Sequence, residues 1–355
     1  MFEDQDLTTT IYMAQATDKD SGAYGTVHYR LSVNPSDTFI IDAISGEIRL
    51  NKELDYETKT EYNLIVNAFD QGTPSLKTNL TLTVKVSNVN DNTPVFTKDV
   101  YTQNVKETSA MDTGILEVTA LDADNDQVTY TLLDEDSGMF GIHGGSGGSG
   151  FIYLRSELDR ETKDSYTFKV QARDNGKQVF HSATAQVQIV VLDENDNNPI
   201  FSQTAYVFYV EENNAPSTLI GHVVAIDKDI GDNAKLEYTI ISQESAFTIN
   251  PFNGEINTAK TLDRETQNEH KFTVQVSDKG NPPRNHNAHV TVIVQDINDN
   301  SPTILNARPL EVYVDENKMK GTHVIKILTF DPDNEENSTV TYMLDPGRYI
   351  AYLSR

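Results

Sequence analysis

An acidic segment, Asp-Glu-Asn-Asp-Asn-Asn-Pro at Asp193 to Pro199, returns as Asp-Ile-Asn-Asp-Asn-Ser-Pro at Asp296 to Pro302 and as Asn-Val-Asn-Asp-Asn-Thr-Pro at Asn88 to Pro94. A single hydrophobic core stops growing well before 355 residues, and copies placed close to 105 residues apart cut the chain into units of ordinary domain size. The register predicts a tandem array with units at 1–92 (its first strand truncated), 93–197 and 198–300, and a partial unit at 301–355. Met1 stands two residues before the first aligned glutamate, and the fourth copy stops at Arg355. The chain therefore reads as a piece of a longer array.

Other acidic stations keep the same step. Glu3, Glu107, Glu212 and Glu316 are 104, 105 and 104 residues apart, and 15 residues after each comes an Asp-x-Asp pair: Asp18/Asp20, Asp122/Asp124, Asp227/Asp229 and Asp331/Asp333. Leu-Asp-Tyr-Glu at Leu54 to Glu57 becomes Leu-Asp-Arg-Glu at Leu158 to Glu161 and Leu262 to Glu265, with Asp70, Asp174 and Asp278 each 15 residues beyond the motif's Asp. Taken alone, such an Asp or Asn reads as a turn or cap residue. Repeated in register, the set reads as a multivalent oxygen site at each joint, because Ca²⁺ takes about 6 to 8 oxygens at roughly 2.3 to 2.6 Å and one loop seldom supplies them. The formal charge of −26 points the same way. Two carboxylates about 4 Å apart repel by roughly 4 kcal/mol at an effective dielectric near 20, so gathered acids call for counter-charge.

Between the stations apolar residues alternate with period two, as in Leu80, Leu82, Val84 and Val86 against Thr81, Thr83, Lys85 and Ser87. Tyr166, Phe168, Val170 and Ala172, and then Val290, Val292 and Val294, repeat the pattern, with turn signals at Ser45-Gly46 and Asn253-Gly254. Half-buried strands at this spacing predict an all-β sandwich in each unit. The run from Gly144 to Gly150 replaces three residues in the other copies and reads as a flexible hairpin tip, since neither a helix nor Gly-Lys-Ser/Thr follows it to make a phosphate cradle.

Several functions fit poorly. Twenty-eight Lys and Arg against 54 acids, with no basic stripe, argue against nucleic acid. Cysteine is absent and His286-x-x-His289, read as solvated loop residues, has the only ligand-like histidine spacing, so zinc is disfavoured. Magnesium demands a tighter octahedral set and is weaker than calcium here. A catalytic carboxylate pair or a Ser-His-Asp site would occur once in an unmatched neighbourhood, whereas these acids recur in each unit, so the chain is read as a non-enzyme. No apolar run reaches 18 residues and the N-terminus has no signal-peptide core, so the chain as given reads as soluble. The Asn-x-Thr/Ser triplets at Asn79 and Asn337 are compatible with secretion.

The combination of Glu, Asp-x-Asp, Leu-Asp-Arg-Glu, Ala-x-Asp and Asp-x-Asn-Asp-Asn-x-Pro resembles the extracellular repeats of the cadherin superfamily over essentially the whole chain. The resemblance implies tandem seven-strand Greek-key β-sandwiches in a linear rod, with about three Ca²⁺ per complete joint. By that resemblance the first joint uses Glu3, Asp55, Glu57, Asn88, Asn90, Asp91, Asp122, Asp124 and Asp174. The second uses Glu107, Asp159, Glu161, Asp193, Asn195, Asp196, Asp227, Asp229 and Asp278. The third uses Glu212, Asp263, Glu265, Asp296, Asn298, Asp299, Asp331 and Asp333, without a ninth ligand, so one ion there is expected to bind more weakly. Asn88 stands where the other joints have Asp, which predicts lower affinity at the first joint, and Asp18, Asp20 and Asp70 are expected to bind little. Arg160 and Arg264 are read as packing or surface residues.

The implied function is calcium-dependent cell-cell adhesion by part of an extracellular domain, from a parent anchored at the cell membrane. Its partner would be another cadherin-type ectodomain, by homophilic or heterophilic recognition. With zero Trp the chain cannot use a swapped N-terminal strand anchored by that residue, which favours a heterophilic or spacer segment. A secreted scaffold stiffened by calcium is the alternative.

Overall fold

The computed structural model describes residues 1–145, 148–176, 179–306, 312–334, 337–345 and 350–354. The chain forms two compact units, Met1–Leu192 and Asp193–Arg355.

The second repeat, in the first unit, has the fullest architecture. One sheet runs Thr129–Leu133, Ser165–Arg173, Ser182–Leu192, Val100–Lys106, and the other runs Phe140–Gly144, Ser149–Leu154, Gly114–Leu121, Val95–Phe96. The repeat's first strand is shared: Val95–Phe96 pairs antiparallel with Gly114–Leu121, and Val100–Lys106 then crosses to lie parallel to Ser182–Leu192. That division gives the seven-strand sandwich expected from the sequence. Alternation along Ser165–Arg173 sends Tyr166, Phe168, Val170 and Ala172 inward, and the first three share one core with Phe140, Ile152 and Leu154 of the facing sheet. The hairpin joining Phe140–Gly144 to Ser149–Leu154 is where the glycine-rich run was placed, and residues 146–147 of that run lie outside the described residues.

The first repeat has two three-stranded sheets: His28–Val33, Glu61–Phe69, Lys77–Lys85, and Thr10–Met13, Glu47–Leu50, Phe39–Ile41. A parallel bridge between Phe2 and Ser87, with Met1 and Glu3 bonded to the backbone of Ser87, fixes the position of Glu3. In the second unit, the third repeat packs Glu237–Ile240, Glu269–Ser277, Asn285–Gln295, Ala205–Glu211 against Leu219–His222, Glu255–Thr258, Phe247–Ile249, around Val223, Ile256, Val274 and Val292. The partial fourth repeat contains the pairs Thr303–Ile304 with Thr329–Phe330 and Thr341–Asp345 with Ile350–Ser354.

His286 and His289 differ from the sequence expectation. Both lie on the strand Asn285–Gln295 rather than in a loop, and the His286 ring takes a hydrogen bond from Phe201 N–H. Residues three apart on a strand face opposite ways, so the two cannot share an ion.

Candidate metal centre

The acidic stations sit where strands end. Val100–Lys106 and Ala205–Glu211 stop just before Glu107 and Glu212, Gly114–Leu121 just before Asp122, and Ser165–Arg173 just before Asp174. In the three full repeats a tyrosine sets the start of the Asp-x-Asp loop, buried at Tyr29 and Tyr238 and half-buried at Tyr130. The Tyr29, Tyr130 and Tyr238 hydroxyls accept from the N–H of Ala16, Ala120 and Ala225, two residues before Asp18, Asp122 and Asp227.

In the three full repeats the glutamate is buried and clasps its own repeat. In the first unit Glu3 accepts Tyr56 N–H at 2.5 Å on one oxygen and Val89 N–H at 2.8 Å on the other. Glu107 likewise takes Arg160 N–H at 2.9 Å. In the second unit Glu212, 1% exposed, takes Arg264 N–H at 2.9 Å and Ile297 N–H at 2.8 Å. The Leu-Asp-x-Glu turn and the connecting segment are therefore fastened to one carboxylate.

These fastenings converge the acids. Oxygens of Glu3, Asp55 and Glu57 lie within 4.8 Å of one another, and so do those of Glu57, Asp91 and Asp124, which belong in turn to the first repeat, the connector and the second repeat. Glu107, Asp159 and Glu161 form the same trio at the far end of the first unit, and Glu212, Glu265 and Asp296 gather in the second. Asn88 lies beside two of the gathered acids. With its amide nitrogen turned toward them it donates to Glu57 at 3.0 Å and to Asp124 at 3.1 Å.

The lower stations have a split character. Asp122 and Asp227 each spend one oxygen on the N–H two residues on, at 3.0 Å in both loops, while the other oxygen is buried without a hydrogen-bond partner among the described residues. The side-chain oxygens of Asn90 and Asn195 are orphaned in the same way, because their amide nitrogens are held by the carbonyls of Val179 and Pro282 at 2.7 Å. Leaving a buried acceptor unmet costs about 1 to 3 kcal/mol. Hard, orphaned oxygens on carboxylates and amides fit a hard dication, and the acidic trios named above contain carboxylates alone.

Several stations also carry hydrogen bonds within their own loops. Asp55, Asp159 and Asp263 take both the N–H and the hydroxyl of Thr58, Thr162 and Thr266, and these bonds, the hydroxyl's first, hold each carboxyl below its ordinary range. Asp70, Asp174 and Asp278 are buried and accept backbone N–H groups of the loop that follows, so Asp70 has a turn role of its own. In the second unit Asp193 accepts from Ile230 N–H and Asn233, Asp299 from Asn213, and Asp331 from Asp333 N–H, while Asn298 is exposed. Glu316 is exposed too.

Four recurring residues escaped the sequence reading. Thr58, Thr162 and Thr266 brace the motif's Asp, as described above. Asn92 and Asn197, the Asn that follows the connector's Asn-Asp, bridge Asp91 to Asp124 and Asp196 to Asp229. The tyrosines noted above are the third group. Gly176 and Gly280, two residues after Asp174 and Asp278, are the fourth: a Cβ there would stand 1.9 Å from Asn90 Nδ2 and 2.2 Å from Asn195 Nδ2. Gly176→Ala is therefore expected to push Asn90 out of place, lowering stability in chemical denaturation by about 1 to 3 kcal/mol and weakening metal binding at the first joint. Wild-type stability and wild-type calcium titration would count against that account. Arg160 and Arg264 also do more than pack, since each guanidinium pairs with the glutamate beside it.

Four of the site's acids, Asp122, Asp227, Glu57 and Glu265, titrate above their ordinary range, whereas at Asp296 burial is outweighed by the bonds from Asn337 and Arg264 and the carboxyl is lowered. Loss of water raises Asp122, followed by the charge of Asp124 and, more weakly, Asp174; Asp227 is raised by burial, then by Asp229 and Asp278. Glu57 is raised by desolvation, then by Glu3 and Asp124, and Glu265 by desolvation and then Glu212. A raised folded pKa favours the protonated, metal-free fold at low pH, and that contribution is lost as pH climbs through the folded value. Calcium needs the ionised form, so protons compete with it from above the ordinary carboxylate range downward. Calorimetric titration should show several-fold weaker calcium binding near pH 5.5 than near pH 7.4, with protons released on binding. Equal affinity at both would contradict this.

The chain has relatives. The Cadherin domain family pattern matches residues 1–87, 101–192 and 206–295. Protein dachsous of Drosophila melanogaster is 40% identical over 363 residues, covering 98% of this chain and 10% of that protein. Protocadherin-16 of Rattus norvegicus is 36% identical over 349 residues, covering 95% of this chain and 10% of that protein. The crystal structure of mouse cadherin-23 EC22-24 aligns with a TM-score of 0.73 at 32% identity, covering 84% of this chain and 95% of that one. The chain thus spans about a tenth of the length of the curated relatives cited.

Proposed function

Because this chain belongs to the cadherin family, we propose that it is part of an extracellular adhesion array in which calcium ions at the repeat ends clamp neighbouring sandwiches together. The observation that carries the reading is the trio Glu57, Asp91 and Asp124, in which a repeat, a connector and the next repeat each place a carboxylate oxygen within 4.8 Å of the others. The orphaned oxygens of Asn90 and Asp122 would add donors of the kind a calcium ion requires. Glu3 and Asp55 would hold an ion on the upper side, and Asp124, Asp122 and Asp174 would extend the set into the second repeat. When bound, the metal turns mutually repelling acids into a cross-link.

The equivalent acids of the other repeats, Glu107, Asp159 and Glu161 in the first unit and Asp193, Asn195, Asp196, Asp227, Asp229 and Asp278 in the second, would take the same roles. Glu212, Glu265, Asp296, Asp299, Asp331 and Asp333 would serve the third joint. The parent would sit at the cell membrane and meet another cadherin-type ectodomain. The zero Trp content favours a heterophilic or spacing role over strand exchange.

Calorimetry on the full chain tests the reading. Saturable binding of several calcium ions with midpoints of about 10⁻⁴ to 10⁻³ M is expected, and the absence of binding up to about ten times that concentration would refute it.

A further inference from the structure

The first and third joints differ at two motif positions at once. Tyr56 and Asn88 in the first become Arg264 and Asp296 in the third, and in the remaining copy Arg160 again accompanies Asp193. The base and the acid are present together or absent together. Such pairing is what a mutual contact would impose, and in the second unit the contact exists.

Arg264 Nε donates to Asp296 Oδ1 at 2.5 Å, while Nη2 meets Glu265 Oε1 at 2.8 Å and donates to the Pro332 carbonyl at 3.0 Å. One guanidinium thereby touches the third repeat's turn, the connector, and the Asp-x-Asp loop of the fourth repeat. The Arg264 side chain is 17% exposed and that of Asp296 only 1%. Asp296 also receives Asn337 Nδ2 at 2.5 Å and Asn334 N–H at 3.2 Å, from the fourth repeat. A planar fork on a short reach is well suited to join three acceptors, and a charge-assisted pair with little solvent around it is stronger than an exposed one. In the first joint Tyr56 packs against the repeat's apolar core, and the Asn88 amide stands between Glu57 and Asp124.

We propose that Arg264 is a tethered counter-cation, a positioning residue that holds the third joint closed without metal and raises the calcium concentration needed to fill it, whereas the first joint has only neutral amide bridges, from Asn88 and Asn92 to Asp124, and no cation in that place. The statement about calcium concentration rests on the calcium reading above; the statement about the metal-free joint does not. Calcium and the guanidinium call on the same two carboxylates, Asp296 and Glu265, so the order Arg264 provides in the empty joint competes with entry of the metal.

Hydrogen exchange on the full chain, read by mass spectrometry, tests it. In EGTA, amides at 329–334 should exchange about tenfold faster in Arg264→Tyr than in wild type, with Arg264→Lys between them, while 120–126 stay unchanged. Slow exchange at 272–276 certifies the variant's sandwich. In a calcium titration, 329–334 should reach full protection at several-fold lower calcium in Arg264→Tyr. The reciprocal variant, Tyr56→Arg with Asn88→Asp, should gain protection at 120–126 in EGTA, a result that misfolding cannot produce. Identical EGTA exchange at 329–334 in wild type and Arg264→Tyr, with no gain in the reciprocal variant, overturns the proposal. A wild type that calcium protects at neither joint defeats the calcium reading instead, and the EGTA comparison still decides the role of Arg264.

Discussion

Chelating calcium is expected to lower the melting temperature of the full chain by about 10 °C or more. Calcium at about ten times its dissociation constant adds about 1.4 kcal/mol of stability per site, and several sites act together at each joint. In a domain of about 100 residues 1 kcal/mol is worth about 4 to 8 °C. The penalty left behind acts in the same direction, because Glu57, Asp91 and Asp124 then face one another without their counter-ion. Scanning calorimetry in EGTA and in millimolar calcium measures the difference. A shift below about 2 °C would remove the energetic basis of the account.

Glu212→Ala should be the most damaging single substitution at the joints, and its effect should persist without metal. Glu212 is 1% exposed and its two oxygens separately accept the N–H groups of Arg264 and Ile297. Truncation leaves both donors unmet in a covered site, at about 1 to 3 kcal/mol each, so a loss on the order of 3 kcal/mol is expected in EGTA. Glu212→Gln keeps one acceptor oxygen and should lose less in EGTA, yet bind calcium more weakly than wild type because the charge is gone. Urea denaturation of the three proteins in EGTA separates the two roles. If Glu212→Ala unfolds at the wild-type midpoint, the clasp is not structural.

The repeat itself made most of the fold and the acidic stations legible. Alternation in Tyr166, Phe168, Val170 and Ala172 marks an inward face because strand side chains alternate, and acids in fixed register mark strand ends. Thr58, Asn92 and Gly176 recur just as regularly, and Tyr130 at a looser spacing, but their work is to brace an acid or to leave room beside it, and none of them is of a ligand type that draws notice in an acidic motif. His286 and His289 were misplaced because polar residues mask the start of Asn285–Gln295, although the alternation of Ala288, Val290 and Val292 runs straight through them. The reach of Arg264 to Asp296 and Pro332 could not be read from spacing, since it depends on where the connector and the fourth repeat's loop come to rest. The pairing of Arg with Asp and of Tyr with Asn across the copies was its only trace in the sequence.

The absence of cysteine gives the central claim a direct test, because two introduced thiols can be labelled alone. Thr78→Cys on the first repeat and Lys169→Cys on the second occupy exposed strand positions on either side of the Glu57, Asp91 and Asp124 cluster. Spin labels there report the distance distribution between the two repeats by pulsed dipolar spectroscopy. The account predicts a narrow distribution in millimolar calcium that broadens severalfold in EGTA and narrows again when calcium is restored. A distribution of the same width in all three conditions would contradict it.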